Sequence, residues 1–204
     1  MSQKLPIIAV VGATGAQGGS VAKSVLATGK WTVRALTRNT ESSAAKALAA
    51  QGAIPVKCDI DNKSDLANAF KDATAVFALT NFWDQSTLAK GDLDFELHQG
   101  KAMADAAKNS GVKHIIWSSL ANSEAVSGGK INSHHFTNKF KVEEYIRSIG
   151  LPAAFVYAGF YMANLSSHFT PKRGTDGTVT WSTAIDSRVS LPLAHPATDM
   201  GPLV

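Results

Sequence analysis

The run Val11-Gly12-Ala13-Thr14-Gly15-Ala16-Gln17-Gly18 restricts this chain more than any other feature, because of what stands on either side of it. Before it, Ile7 to Val11 is an unbroken apolar, mostly β-branched run, as expected of a strand covered on both faces in a parallel sheet. After it, Val21, Ala22, Val25 and Leu26 recur at helical spacing, and Gly29 ends the segment. A glycine loop between a strand and a helix has a mechanical reading. Gly12 makes the tight turn, Gly15 lets the backbone approach a pyrophosphate, and Gly18 lets the helix pack closely. Thr14, Ala16 and Gln17 complete this cofactor-binding stretch. The helix N-terminus supplies unpaired N–H groups and a positive dipole end. No Gly-Lys-Ser or Gly-Lys-Thr follows the loop, which argues against a nucleoside triphosphate site.

The strand–helix alternation continues. Strands are expected over Thr32 to Leu36, Ile54 to Lys57, Ala75 to Leu79, His114 to Ser118 and Ala154 to Ala158. Helices are expected over Ser43 to Ala50, Ser64 to Phe70 and about Asp94 to Asn109, and around the stripe Val142, Tyr145, Ile146 and Ile149. The implied fold class is α/β, a doubly wound parallel Rossmann sheet with helices on both faces. Tyr145, Phe140 and Trp117 read as core residues. Asn122 to Asn138 is the one long polar connection, where a loop over an active site would lie. Further on, Asp176-Gly177 before Thr178 to Trp181 suggests a hairpin, and Pro196 to Val204 reads as the cut-off start of a helix.

A chain of 204 residues, 45% hydrophobic, is long enough for one well-buried domain. Its 20 Lys and Arg and 16 Asp and Glu are interspersed, so the net +4 favours anionic ligands without the basic stripe of a nucleic-acid binder. Cys58 is the single cysteine, which excludes an internal disulfide and suits a reducing compartment: the cytoplasm, with the nucleus as a second location. No stretch approaches membrane-spanning length. His134 and His135 are adjacent and diverge on either a helix or a strand, so no metal site is expected.

About 20 residues beyond the loop, NAD-binding proteins usually carry an Asp or Glu for the ribose 2′-hydroxyl. Here Thr37-Arg38-Asn39 stands instead. A guanidinium can form charge-assisted bonds with a 2′-phosphate, which a carboxylate would repel. The expected cofactor is therefore NADP(H), the other reading of Arg38 being a solvated loop arginine. Asp59, after the third strand, is included among the expected cofactor-binding residues.

The glycine loop, Thr37-Arg38-Asn39, Thr80-Asn81-Phe82-Trp83, Ser118-Ser119, Lys139-Phe140-Lys141-Val142-Glu143-Glu144-Tyr145 and Asp199-Met200-Gly201-Pro202 together resemble the NmrA-like family of atypical short-chain dehydrogenase/reductases, near the isoflavone-reductase-like enzymes. The resemblance implies an NADP(H)-binding Rossmann domain over residues 1–158 and the start of a smaller, incomplete C-terminal substrate domain over 159–204. It implies that the nicotinamide lies in the cleft between them, with Thr80, Asn81 and Phe82 bordering its ribose.

A classical short-chain reductase pairs a Tyr with a Lys four residues later, the Lys lowering the Tyr pKa. The residues four before Lys139 and Lys141 are His135 and Thr137, so that Tyr is missing. Lys139 lies eleven residues before Gly150, the spacing that isoflavone-reductase-like enzymes keep for their catalytic lysine. By that resemblance Lys139 is the expected proton donor or electrostatic stabiliser, assisted by Ser119 or His135. Two functions remain open: an NADP(H)-dependent oxidoreductase acting on a small carbonyl or conjugated substrate, and a redox-sensing regulator that binds NADP(H) without turnover and controls a protein partner such as a transcription factor. The lysine spacing inclines toward the oxidoreductase.

Overall fold

The computed structural model describes residues 4–167, 169–182, 186 and 188–204. Six parallel strands form one sheet: β1 (Ile7–Val10), β2 (Thr32–Thr37), β3 (Ile54–Lys57), β4 (Ala75–Ala78), β5 (His114–Ser119) and β6 (Ala153–Tyr157). Their order is β3-β2-β1-β4-β5-β6. The chain thus turns outward in opposite directions from β1, and the crevice beyond its carboxyl end is the topological switch point where ligands bind in such sheets.

Alternating side chains of β1 explain its continuous apolar run. Ile7, Ala9 and Val11 enter one core with Phe70, Met103, Trp117, Val142 and Ile146. Ile8 and Val10 enter a second core on the opposite face, with Val21, Val25, Val33, Leu48 and Phe77. On that second face lie α1 (Ala16–Ala27) and α2 (Ser43–Ala50); on the first lie α3 (Lys63–Phe70), α5 (Phe95–Asn109) and α7 (His134–Ser148), while the single turn α4 (Gln85–Leu88) sits between β4 and α5. Buried Gly100 lets α5 approach α7. A Cβ there would lie 2.4 Å from Val142 Cγ2 and 3.1 Å from the Trp117 ring. Trp117 is fully buried, and Tyr145 packs against the same core, as expected; Phe140 is only half-buried and joins neither core.

The polar connection after β5 is more ordered than its composition suggests. It contains α6 (Ser123–Val126), capped by the Asn122 side chain, and the first turn of α7. Beyond β6, β7 (Phe160–Tyr161) is followed by the 3-10 turn Met162–Ser166, and β8 (Lys172–Arg173) pairs antiparallel with β9 (Val179–Thr180) around Gly177 at φ +84°, forming a hairpin with shorter strands than expected. β10 (Leu193–Ala194) pairs in parallel with β7.

The expected helix start at Pro196 is α8 (Pro196–Asp199), followed by a 3-10 turn over Gly201–Leu203. This segment packs onto α1 instead of projecting as a cut helix. Met200 is buried in the core beneath α1, and the Gly201 N–H donates to Ser20 Oγ at 2.9 Å. A Cβ on Gly201 would come within 2.4 Å of the Ser20 carbonyl oxygen, so only glycine fits. Among the described residues, no helix is long and apolar enough to cross a membrane.

Candidate active site

The glycine loop leaves β1 at the switch point. Gly12 has φ +62°, a conformation that a side chain would oppose, and its carbonyl accepts a 2.9 Å bond from the Gly15 N–H. A Cβ on Gly18 would lie 2.4 Å from the Gly12 oxygen, so this glycine is fixed by the closeness of helix to loop. Gly15 caps α1 without a side chain, and the first turn of α1 carries no acid. The helix end therefore offers bare N–H groups, with no acid in its own first turn to repel an anion. Thr14, Gly15 and Ala16 are exposed, which leaves the loop open to a ligand. Each of these features suits a dinucleotide pyrophosphate.

Gln17 turns inward from the loop. Its Oε1 accepts from Ser118 Oγ at 2.7 Å and its Nε2 donates to the Tyr161 hydroxyl, so the loop is tied to β5 and to β7. Burial raises the Tyr161 pKa, the Gln17 hydrogen bond acting against it. Neighbouring strand residues face opposite ways, and the two serines of β5 obey this rule. Ser118 meets the glycine loop, whereas Ser119, to which the sequence reading gave an assisting role, is fully buried and donates to Glu143 Oε2 at 2.8 Å. Glu143 also accepts from the Tyr157 hydroxyl at 2.6 Å and from Arg147 at 2.8 Å. The hydroxyl of Ser119 is thus committed to a buried carboxylate.

Lys139 occupies the carboxyl end of β4. Its Nζ donates to the Thr80 carbonyl at 2.7 Å and to Thr80 Oγ1 at 2.9 Å, and lies 2.8 Å from Glu96 Oε1. Thr80 Oγ1 in turn donates to Glu96 Oε1 at 2.7 Å. Lys139 and Glu96 are 12% and 1% exposed, so the pair is screened very little by water. Burial lowers the Lys139 pKa, and the charge and hydrogen bond of Glu96 recover only part of the loss. The other oxygen of Glu96, Oε2, is buried without a hydrogen-bond partner. Sequence reasoning missed Glu96. The signal was its register: it falls on the inward stripe of α5 with Gly100, Met103 and Ala107.

One turn before Lys139 on α7, His135 stacks near Phe82, Trp83 and Phe136, with ring centroids 5.8, 5.2 and 4.6 Å away. Its Nδ1 lies 3.0 Å from Ser133 Oγ. Burial lowers its pKa, with the Glu96 charge opposing the shift and the Lys139 charge adding to it. His134 faces away, 3.9 Å from Asp94, and the described residues contain no cluster able to hold a metal ion.

The remaining expected residues lie past the carboxyl ends of β2, β3 and β4. Arg38, just past β2, is 64% exposed and pairs with Asp84 at 3.0 Å. Asn81 is exposed and accepts from the Trp83 N–H, while Phe82 is half-buried. Asp59 is exposed at the outer end of the sheet, where it accepts from the Asp61 N–H at 3.1 Å.

The family model described as the NmrA-like family matches residues 4–204. The chain is 41% identical over 148 residues to the NmrA-like family domain-containing oxidoreductase FrzB of Cladobotryum sp, covering 71% of this chain and 43% of FrzB. It is 32% identical over 199 residues to an NmrA-like family domain-containing protein of Dictyostelium discoideum, covering 94% of this chain and 63% of that protein. The chain therefore spans only part of the length of these relatives. Among solved structures it matches NmrA, a negative transcriptional regulator, with a TM-score of 0.83 and 32% identity over 98% of this chain and 61% of that one. NmrA has been solved in complex with NAD and with NADP.

Proposed function

The chain belongs to the NmrA-like family, and on that premise we propose that it binds NADP(H) and serves as an oxidoreductase acting on a small carbonyl or conjugated substrate. The observation that carries this reading is the dehydrated Lys139 ammonium, held by Thr80 and Glu96 at the carboxyl end of β4. The loop Gly12 to Gly18 holds the pyrophosphate and Arg38 the 2′-phosphate, while Thr80, Asn81 and Phe82 border the nicotinamide ribose. NADPH, when bound, supplies a hydride. The proton that must accompany the hydride comes from Lys139 Nζ. An ammonium whose pKa burial has lowered gives up its proton more readily than one in water. Glu96 keeps the amine protonated until it is used, and Thr80 fixes its direction.

The oxidoreductase relatives support this reading, as does the NADP complex of NmrA, which also supports a second one. In the second, the chain binds the cofactor without turnover and passes its redox state to a regulatory protein partner, with Lys139 as an anchor. A regulator of this kind requires different affinities for NADP+ and NADPH, since a ligand shifts a partner equilibrium only by differential affinity.

Titration of the purified chain with NADPH and NADH, followed by NADPH consumption against a carbonyl panel, tests both readings. Preferential NADPH binding with substrate-dependent turnover, lost in Lys139→Ala, is the expected result. Binding without turnover, with NADP+ and NADPH distinguished and a partner responding, would establish the regulator. Failure to bind either cofactor overturns both.

A further inference from the structure

The Arg38–Asp84 pair spans the switch point. β2 and β4 flank β1 in the sheet, so an ion pair from just beyond β2 to the loop after β4 passes over the end of β1, where the glycine loop begins. Asp84 is held there from two directions. Its N–H donates to the Asn81 carbonyl at 3.2 Å, and its Oδ1 caps α4 by accepting from the Ser86 N–H at 3.0 Å and from Ser86 Oγ. That leaves Oδ2 for Arg38. A guanidinium and a carboxylate therefore share the place that the NADP(H) reading gives to the ribose 2′ position, although Arg38-Asn39-Thr40, the residues directly after β2, include no carboxylate.

We infer that Asp84 is a specificity-determining residue, competing with a 2′-phosphate for Arg38 and offering its own oxygen to a 2′-hydroxyl, so that it narrows the preference for NADPH over NADH. This rests on the NADP(H) reading above. A 2′-phosphate brings more charge and more acceptor oxygens than one carboxylate and displaces Asp84 from the guanidinium, at the cost of the existing pair. Breaking that pair costs little because Arg38 is mostly in water. NADH has nothing with which to displace Asp84 and meets a carboxylate, the group that usually receives a 2′-hydroxyl.

The test is the dissociation constant of each cofactor by fluorescence for the wild type, Asp84→Asn, Asp84→Ser and Arg38→Gln. Asn and Ser both retain the capping oxygen for α4, so the loop keeps its anchor, which thermal melting checks. The expected result is NADPH tightened by roughly two- to fivefold in both Asp84 variants, the factor for an exposed ion pair, with NADH weakened. Arg38→Gln moves the ratio the other way. An unchanged NADPH-to-NADH ratio in both Asp84 variants, with NADPH still preferred by the wild type, overturns the inference and leaves the NADP(H) reading standing. A wild type that binds neither cofactor overturns both.

Discussion

The Lys139 ammonium lies 2.8 Å from the Glu96 carboxylate, joining α7 to α5 through a charge pair with almost no access to water. The same lysine proposed to donate a proton is therefore also a structural tie between two helices that pack over Trp117. Its loss has two consequences, which can be separated.

Lys139→Ala leaves Glu96 buried without its cation, and removing one partner of a buried pair typically costs about 3–5 kcal/mol. Urea denaturation is expected to show a loss at the lower end of that range, because Glu96 retains the Thr80 hydroxyl as a donor. Combining Lys139→Met with Glu96→Gln removes both charges and is expected to restore most of the stability without restoring turnover. Recovery of turnover in the double variant would sink the proton-donor role.

Glu143 predicts a pH dependence on the acid side. Burial alone would raise its pKa, but hydrogen bonds from Tyr157, Arg147 and Ser119 hold it below 4.5. A carboxylate with a depressed folded-state pKa contributes stability that is fully present above its unfolded value and lost as pH falls through the folded one. The wild type is thus expected to lose stability below pH 4.5 more steeply than Glu143→Gln. Parallel stability curves for the two proteins would contradict this.

Gly100→Ala tests whether the α5–α7 contact is as tight as its geometry indicates. Alanine improves helix propensity by about 1 kcal/mol, yet its methyl would sit 2.4 Å from Val142 Cγ2. Overpacking of a close core contact costs about 1–3 kcal/mol, so the expected net effect is a lower Tm despite the better helix former. A raised Tm would show that the two helices part easily.

Cys58 is 4% exposed, and burial, reinforced by Asp65 and Asp59, pushes its thiol up to about 12. Reaction requires the thiolate. The native protein is therefore expected to resist a thiol reagent at pH 8 and to be labelled at the rate of unfolding. Rapid native-state labelling would contradict the burial.

Much of the sheet was legible because a strand buried on both faces must be apolar throughout, and β1 and β4 are. The glycine loop was legible for a similar reason, since its spacing answers to backbone contacts that only glycine allows. Partnerships across the fold were less accessible. Arg38 could be recognised as a cation, but its carboxylate arrives from 46 residues away. Lys139 could be found by its distance from Gly150, whereas Glu96 has the sequence appearance of a favourable first-turn acid. Ser119 was chosen over Ser118 although strand alternation sends them to opposite faces, and only packing reveals which face meets the loop. The helix start at Pro196 was legible from its proline, but its docking onto α1 through Met200 and Gly201 was not, because so short a segment has little periodicity of its own.

The docking of Met200 and Gly201 onto α1 couples the beginning of the chain to a segment 181 positions downstream of Ser20. During synthesis, α1, which begins at the glycine loop, emerges early but lacks this contact until that segment has left the ribosome. All six strands can assemble before then. A nascent chain stopped after β6 would therefore possess the sheet and the glycine loop while α1 still exposed the underside that Met200 seals. The helix behind the glycine loop is thus completed last, by a contact from far along the chain more than by its own local sequence.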